Sequence, residues 1–172
     1  IKKGELFAVL LPDEFLLSKN KSNDLTRMID HFAKNTSGQI LVEKVKREET
    51  KNYGIVDLDK KYLKNINLKP IKGFIEKPSI DKSPSNYRII GRYLLPHEIF
   101  AYLKKIKIGK DGEIQLTDAL QFLIKANPDC LKAYLSQSNI YDCGSKKGFI
   151  GANIAMSLKD KDMEKYIREI LN

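Results

Sequence analysis

Acidic residues follow two apolar stretches of this sequence, at positions where β-strands are expected to end. Asp13 comes directly after the apolar run of residues 5–11, and Asp142 follows a strand-like region and precedes Cys143-Gly144. In open α/β sheets, ligands bind in the crevice outside the carboxyl ends of the strands. Two carboxylates there could share one Mg²⁺, which accepts one or two protein carboxylates and fills its other sites with water and phosphate. Each aspartate alone is also compatible with an ordinary turn.

A further strand end carries an acid and a base side by side, in Glu76-Lys77-Pro78. A lysine would act as a point charge on a phosphate group, and a glutamate could accept hydrogen bonds from sugar hydroxyls. Adjacent strand residues point to opposite faces, so only a bend or bulge would bring both side chains to one ligand. The alternative is an ordinary strand end at the surface.

Small residues lie beside these candidates. Gly54 and Gly91 each adjoin an apolar strand, where a glycine often marks a bulge or a close approach of ligand, although packing is a common alternative. Residues 112–118, Gly-Glu-Ile-Gln-Leu-Thr-Asp, place polar groups such as Glu113 just before a helix, where free N–H groups favour an anion. That segment is equally compatible with a helix cap.

Hydrophobic spacing predicts the elements that position these residues. A buried strand over residues 5–11, a helix with Leu25, Met28, Ile29 and Phe32 at helical spacing, and a strand over residues 39–45 form the βαβ pattern. This pattern predicts an α/β fold with helices packed on the faces of a sheet. Further strands are predicted over residues 53–57, 71–77, 88–95 and 131–136, and helices over residues 96–105, 116–124 and 146–171, the last with a break near 159–162.

The charge and hydropathy of the sequence indicate which kinds of partner and which cellular location to expect. The 172 residues carry 31 Lys and Arg against 22 Asp and Glu, a formal charge of +9 that would attract either nucleic acid or nucleotide phosphates. Because the lysines are scattered and not interleaved with aromatics in one stripe, we predict no nucleic-acid partner. No apolar stretch approaches the roughly 20 residues that cross a bilayer, and no signal core is present. We therefore predict no membrane partner and a cytoplasmic location.

The ordered series of motifs resembles the bacterial UTP:glucose-1-phosphate uridylyltransferases, and the match covers nearly the whole chain. The motifs are Leu10-Leu11-Pro12-Asp13, Tyr53-Gly54-Ile55-Val56, Glu76-Lys77-Pro78, Pro84-Ser85-Asn86, Ile90-Gly91-Arg92-Tyr93, the segment 112–118, and Tyr141-Asp142-Cys143-Gly144. Such enzymes form UDP-glucose and pyrophosphate from UTP and glucose 1-phosphate with Mg²⁺. Together the motifs are far more specific than any one of them.

The resemblance implies a role for each catalytic and metal-binding residue. Asp13 and Asp142 would be the aspartates that bind Mg²⁺, and Lys77 would contact the phosphate of glucose 1-phosphate. Lys77 and Asp13 would therefore be the catalytic residues. No covalent enzyme intermediate is implied, since an oxygen of the sugar phosphate attacks the α-phosphorus of UTP in line.

The same resemblance implies the sugar-binding residues. Glu76 and the backbone of Gly54 would hold sugar hydroxyls, Lys77 would complete the substrate site, and Gly91 would line the sugar pocket. Glu113 belongs, with Thr117 and Asp118, to a family motif and is included as a substrate-binding residue.

For the fold, the resemblance implies one nucleotidyltransferase domain over residues 1–172, truncated at its N-terminus. Its architecture would be partial Rossmann-like, with a mixed, mostly parallel sheet flanked by helices and its first strands missing. Family members begin with a strand and a Gly-x-Gly-Thr-Arg-type loop, which this sequence lacks. The isolated chain is therefore expected to be inactive, and the full-length form to be a homo-oligomer.

Alternatives remain open at this point. Another sugar-phosphate nucleotidyltransferase, such as a glucose-1-phosphate thymidylyltransferase, shares the chemistry. From different classes, a basic nucleic-acid-binding module or a non-catalytic remnant would also account for parts of the sequence.

Overall fold

The computed structural model describes residues 1–2, 4–35, 37–58, 68–107 and 114–171. The chain divides into two compact units. Unit 1 consists of Ile1–Leu10 and Asp24–Ser136, and unit 2 consists of Leu11–Asn23 and Gln137–Asn172. In chain order the elements are β1 (Leu6–Leu10), β2 (Glu14–Ser18), α1 (Asp24–Asn35), β3 (Gly38–Lys44), a 3₁₀ helix (Arg47–Asn52), β4 (Gly54–Leu58), β5 (Leu68–Glu76), β6 (Tyr87–Pro96), α2 (Ile99–Leu103), α3 (Leu116–Ala126), β7 (Leu131–Leu135), β8 (Ser138–Asp142), α4 (Lys146–Ser157) and α5 (Lys161–Leu171).

Unit 1 is built on a six-stranded mixed sheet in the order β1-β6-β3-β7-β5-β4. An additional pairing of β4 with β6, at Ile55 and Arg88, closes five of these strands into a ring. The prediction of an α/β fold with a mixed sheet and flanking helices is confirmed. The closed ring does not confirm the Rossmann-like description.

The prediction of a mostly parallel sheet is wrong. Among the described strand pairs of unit 1, β3 and β7 run parallel and the other pairs run antiparallel. The reason lies in the connections, because parallel neighbours need a crossover of a dozen or more residues, usually a helix. Between β3 and β6 the described residues contain a single helical element, the short 3₁₀ helix Arg47–Asn52.

The strand predicted over residues 5–11 exists as β1, but it is not buried on both faces. Leu10 is 52% exposed. In the described part of the sheet, β1 pairs with β6 alone, so it lies at the edge. An edge strand carries less cover than a central one, which the apolar run of the sequence does not reveal.

The core of unit 1 lies between the sheet and α3. The helix buries Ala119, Leu120, Leu123 and Ile124, each at most 3% exposed, as its spacing predicts. These side chains pack against a cluster that includes Val56 from the sheet. The site-bearing strands are therefore held from one side by a rigid helix.

Within unit 1, helix α1 is held by buried polar contacts as well as by Met28, which is fully buried. Asp24, 1% exposed, accepts a hydrogen bond from Ser136 Oγ at 2.7 Å and one from Arg27 at 2.6 Å. Gln39 Nε2 donates to the Met28 carbonyl at 2.8 Å. The start of α1 is therefore joined to the residue that follows β7.

Unit 2 combines a two-stranded antiparallel ribbon, β2 with β8, and the helices α4 and α5. The predicted helical tail is confirmed, including its break, since α4 ends at Ser157 and α5 begins at Lys161. Strand β2 was not predicted, because Pro12-Asp13 suggests an end to strand structure. None of the described helices has both the length and the apolar character that a membrane span requires.

Replacing Asp24 by alanine is expected to destabilise the fold. The change leaves the Arg27 guanidinium and the Ser136 hydroxyl without this acceptor, and breaking a buried ion pair on one side costs about 3–5 kcal/mol. Because Arg27 keeps some contact with water, we expect about 3 kcal/mol in urea unfolding. Asp30→Ala, at an exposed position of the same helix, is the control and should be nearly neutral. Equal effects of the two changes would contradict this assignment.

Candidate functional site

Gly54 and Glu76 face each other across two antiparallel strands of unit 1. Gly54 opens β4, and its registered partner is Glu76, the last residue of β5. A Cβ atom on Gly54 would lie 2.9 Å from Glu76 Oε2, closer than real Cβ contacts. The Glu76 carboxylate therefore lies over the glycine, in the space that any other residue would need. Glycine at this position allows the close approach of the Glu76 carboxylate.

Lys77 lies at a sharp bend directly after β5. Its φ is +41°, in the left-handed region, and it has the only positive φ among described non-glycine residues. Its backbone N–H donates to the Tyr53 carbonyl at 3.1 Å. A non-glycine residue in this region is strained, and such strain clusters at functional sites. The bend that Glu76 and Lys77 need in order to serve one ligand is therefore present.

Tyr53, which holds the Lys77 amide, is itself supported from β6. The Arg88 guanidinium lies 4.6 Å from the centre of the Tyr53 ring, a cation–π contact. Arg88 is 5% exposed, and its Nε donates to Glu43 Oε2 at 2.9 Å. Sequence reasoning missed this support, because the partners come from β3, from β6 and from the residue before β4, and form no local motif.

The helix that follows the Gly-Glu-Ile-Gln-Leu-Thr-Asp segment also reaches this group. Thr117 Cγ2 lies 3.6 Å from the position that a Cβ on Gly54 would take. The Thr117 hydroxyl oxygen is buried and has no hydrogen-bond partner in the described part of the chain. Thr117 thus borders the Gly54–Glu76 pair. Glu113, the other candidate from this segment, lies outside the described residues.

Gly91 lies in an irregular part of β6, as the glycine suggested. The pairing of β6 with β3 passes from Ile40–Tyr93 to Val42–Ile89, so β6 uses four residue steps where β3 uses two. Gly91 is central to this bulge, and it is buried. A bulge or irregularity is therefore present, one of the alternatives that the glycine left open, and a place for Gly91 in the wall of a sugar pocket stays a prediction.

Asp13 and Asp142 lie at the same end of the ribbon in unit 2. Asp142 ends β8 opposite Glu14, the first residue of β2, and the Cys143 N–H donates to the Asp13 carbonyl at 2.7 Å. Asp142 Oδ1 accepts a hydrogen bond from the Gly144 N–H at 3.0 Å. The backbones at Asp13 and Asp142 therefore come together, whereas a cation shared by the two carboxylates stays a prediction. The two residues lie at one end of the paired strands of an antiparallel ribbon, and not at the carboxyl ends of parallel strands.

The chemistry of this pair fits Mg²⁺. Asp13 is exposed, and no described residue donates a hydrogen bond to its carboxylate or to Asp142 Oδ2. In the described residues there is no group of three or more His, Cys, Asp or Glu side chains that could hold a metal. A structural Zn²⁺ site needs four such ligands, whereas Mg²⁺ is commonly bound by one or two protein carboxylates together with water and phosphate oxygens.

The chain belongs to the nucleotidyl transferase family, whose model matches residues 1–158. It is similar to UTP–glucose-1-phosphate uridylyltransferase 1 of Staphylococcus saprophyticus, with 39% identity over 168 residues, 98% of this chain. The resemblance stated from the motifs is therefore confirmed. The chain spans 56% of the length of that relative.

Solved structures agree with this relationship. A UDP-glucose pyrophosphorylase complexed with UDP-glucose has a TM-score of 0.82 and 36% identity, covering 91% of this chain and 57% of its own. A UTP-bound UDP-glucose pyrophosphorylase from Acinetobacter baumannii has a TM-score of 0.82 and 34% identity, covering 98% of this chain and 56% of its own. The described fold is thus one that these proteins share.

Replacing Gly54 by alanine is expected to displace the Glu76 carboxylate without unfolding the protein, and thereby to weaken the glucose 1-phosphate binding that is proposed below. The new methyl group would displace Glu76 Oε2, the end of a flexible side chain, and not backbone. Loss of one hydrogen bond to a charged group corresponds to about a tenfold weaker affinity. Calorimetric titration measures the affinity, and thermal unfolding should change little.

A double-mutant cycle tests the cause. In a Glu76→Ala background, Gly54→Ala should add no further loss of affinity, because the displaced carboxylate is already absent. Additive losses would mean that the alanine acts on the backbone or on Thr117 instead.

Proposed function

We propose that this chain forms the sugar-phosphate-binding and Mg²⁺-binding portion of a UTP:glucose-1-phosphate uridylyltransferase. The reaction joins UTP and glucose 1-phosphate into UDP-glucose and releases pyrophosphate. The observation that carries the proposal is the group formed by Gly54, Glu76 and Lys77, with an acceptor over a glycine and a lysine at a strained bend. The names of the similar proteins support the same substrates.

The group in unit 1 binds the sugar phosphate. The Lys77 ammonium, on an exposed residue, supplies a positive charge for the phosphate. Glu76 accepts hydrogen bonds from sugar hydroxyls, and the Gly54 backbone holds a further hydroxyl. Because Gly54 has no side chain, the Glu76 carboxylate can lie beside it. Gly91, at the irregular part of β6, borders the sugar, and Glu113, outside the described residues, is a substrate-binding residue by its place in the family motif.

Binding and orientation are the contribution of these residues to the reaction. A sugar-phosphate oxygen forms a bond to the α-phosphorus of UTP while the bond from that phosphorus to pyrophosphate breaks. Holding the sugar phosphate at a fixed place makes this in-line attack more frequent, since positioning removes much of the entropic cost. Lys77 also stabilises negative charge on the attacking phosphate group.

Asp13 and Asp142 are the residues that would hold Mg²⁺. When bound, Mg²⁺ supplies charge neutralisation and orientation of phosphate oxygens. On the protein side, the hydrogen bond from Cys143 to the Asp13 carbonyl holds the backbones of the two aspartate segments together. This keeps both carboxylates at one end of the ribbon.

Lys77→Ala is the experiment that tests the proposal. Glucose 1-phosphate should bind the 172-residue chain in calorimetric titrations with MgCl₂, and the substitution should weaken binding about tenfold or more, since contacts to charged groups contribute about 1.5–3 kcal/mol. Lys161→Ala, which removes an exposed lysine from α5, is the matched control and should bind like the unaltered chain.

Two outcomes would contradict this function. One is equal affinity of the Lys77→Ala and Lys161→Ala variants for glucose 1-phosphate. The other is absence of sugar-phosphate binding together with tight, steeply salt-dependent binding of RNA or DNA, which would favour the basic nucleic-acid-binding alternative.

A further inference from the structure

The Ser145 hydroxyl joins Asp142 to the first turn of helix α4. It donates a hydrogen bond to the Asp142 carbonyl at 2.9 Å and accepts one from the Gly148 N–H at 3.0 Å. We propose that Ser145 is a positioning residue for the Asp142 carboxylate in cation binding, and that Gly148 makes this arrangement possible. The inference rests on the proposed Mg²⁺-binding role of Asp142.

Hydrogen bonds from Gly144 and Ser145 hold Asp142 at both its side chain and its backbone. The Gly144 N–H donates to Oδ1 at 3.0 Å, and the Ser145 N–H donates to the carbonyl at 3.2 Å, beside the bond from the Ser145 hydroxyl. With Oδ1 engaged, Oδ2 is the oxygen to which no described residue donates. The turn therefore presents one defined oxygen of Asp142 to a cation.

Gly148 lies against the same carbonyl group. A Cβ atom at this position would overlap the Asp142 carbonyl oxygen and would lie 2.7 Å from the carbonyl carbon. Both are backbone atoms, so a larger residue could not be accommodated by moving a side chain. Glycine at position 148 therefore allows the first turn of α4 to pack directly against the backbone of Asp142.

Contact with Asp142 separates this role from ordinary helix capping. Ser145 is a normal N-cap, since its side chain accepts from the third residue of α4. A cap needs an acceptor alone, whereas the Ser145 hydroxyl also donates to Asp142. Replacing a residue that orients a metal ligand by a hydrogen bond typically lowers the metal affinity about 10- to 100-fold.

Mn²⁺ binding, followed by the electron paramagnetic resonance signal of the free ion, tests the inference on the whole 172-residue chain. Ser145→Thr keeps the hydroxyl and should bind as the unaltered chain does. Ser145→Ala should bind about tenfold more weakly. Asn153→Ala is the matched control, because it removes a hydrogen bond within α4, from Asn153 to Phe149, without contact to Asp142, and its affinity should be unchanged.

Ser145→Asn keeps the result decisive if the alanine variant does not fold. Asparagine is a preferred N-cap, but its accepting oxygen carries no hydrogen to donate to Asp142. We expect a folded protein with about tenfold weaker Mn²⁺ binding. Affinity equal to that of the unaltered chain would show that capping alone suffices and would overturn the inference.

The Asp142→Asn variant distinguishes failure of the positioning role of Ser145 from failure of the proposed Mg²⁺-binding role of Asp142. If the unaltered chain binds Mn²⁺ and Asp142→Asn abolishes the binding while Ser145→Ala and Ser145→Asn do not weaken it, the positioning role is wrong and the metal role stands. If the unaltered chain does not bind Mn²⁺, or if Asp142→Asn binds it equally well, the metal-binding part of the proposed function fails and the positioning role fails with it.

Discussion

The candidate binding site for a sugar phosphate, formed by Gly54, Glu76 and Lys77, depends on one antiparallel register. This register places Gly54 of β4 opposite Glu76 of β5. A slip of one residue would turn every side chain of the strand to the other face. Burial favours this register, because Phe74, opposite the fully buried Val56, is 8% exposed, whereas its neighbour Ile75 is 41% exposed. The same strands end where the Lys77 N–H donates to the Tyr53 carbonyl, so one pairing places the Glu76 acceptor, the glycine beneath it and Lys77 together.

The pairing of β4 with β6, which closes the ring of strands, also supports this register. The β4–β6 pairing at Ile55 and Arg88 brings β6 beside the start of β4, and Arg88 then covers the Tyr53 ring while it pairs with Glu43. A buried guanidinium without such partners would be costly, so the contacts hold one another in place. The strained backbone of Lys77 thus rests on a framework that is packed and hydrogen-bonded, which strain of this kind requires.

Sequence reasoning predicted the features that have a local origin. The spacing of Ala119, Leu120, Leu123 and Ile124 predicted the buried face of α3, and a bulge was among the alternatives that Gly91 left open in β6. It failed where strand partners are distant in sequence. The antiparallel sheet, strand β2 and the edge position of β1 all follow from non-local pairing, which periodicity does not specify.

The site shows the same division. Asp13, Asp142, Gly54, Glu76 and Lys77 were named from motifs, and the described structure brings them together in two groups, one in each unit. The left-handed φ of Lys77 was not predicted, because lysine has no preference for it. The contacts of Arg88 with Tyr53 and of Ser145 with Asp142 were also missed, the first because its partners come from distant strands and the second because a serine before a helix signals no more than a cap.

The central claim is that glucose 1-phosphate binds at the Gly54–Glu76–Lys77 group. A titration of the isotope-labelled 172-residue chain with glucose 1-phosphate and MgCl₂, followed through its backbone amide resonances, tests it most directly. The account predicts saturable shift changes concentrated at Tyr53, Gly54, Glu76 and Lys77, and glucose 6-phosphate should not reproduce them at the same concentrations. Unchanged resonances at these residues, with saturation elsewhere in the chain, would contradict it.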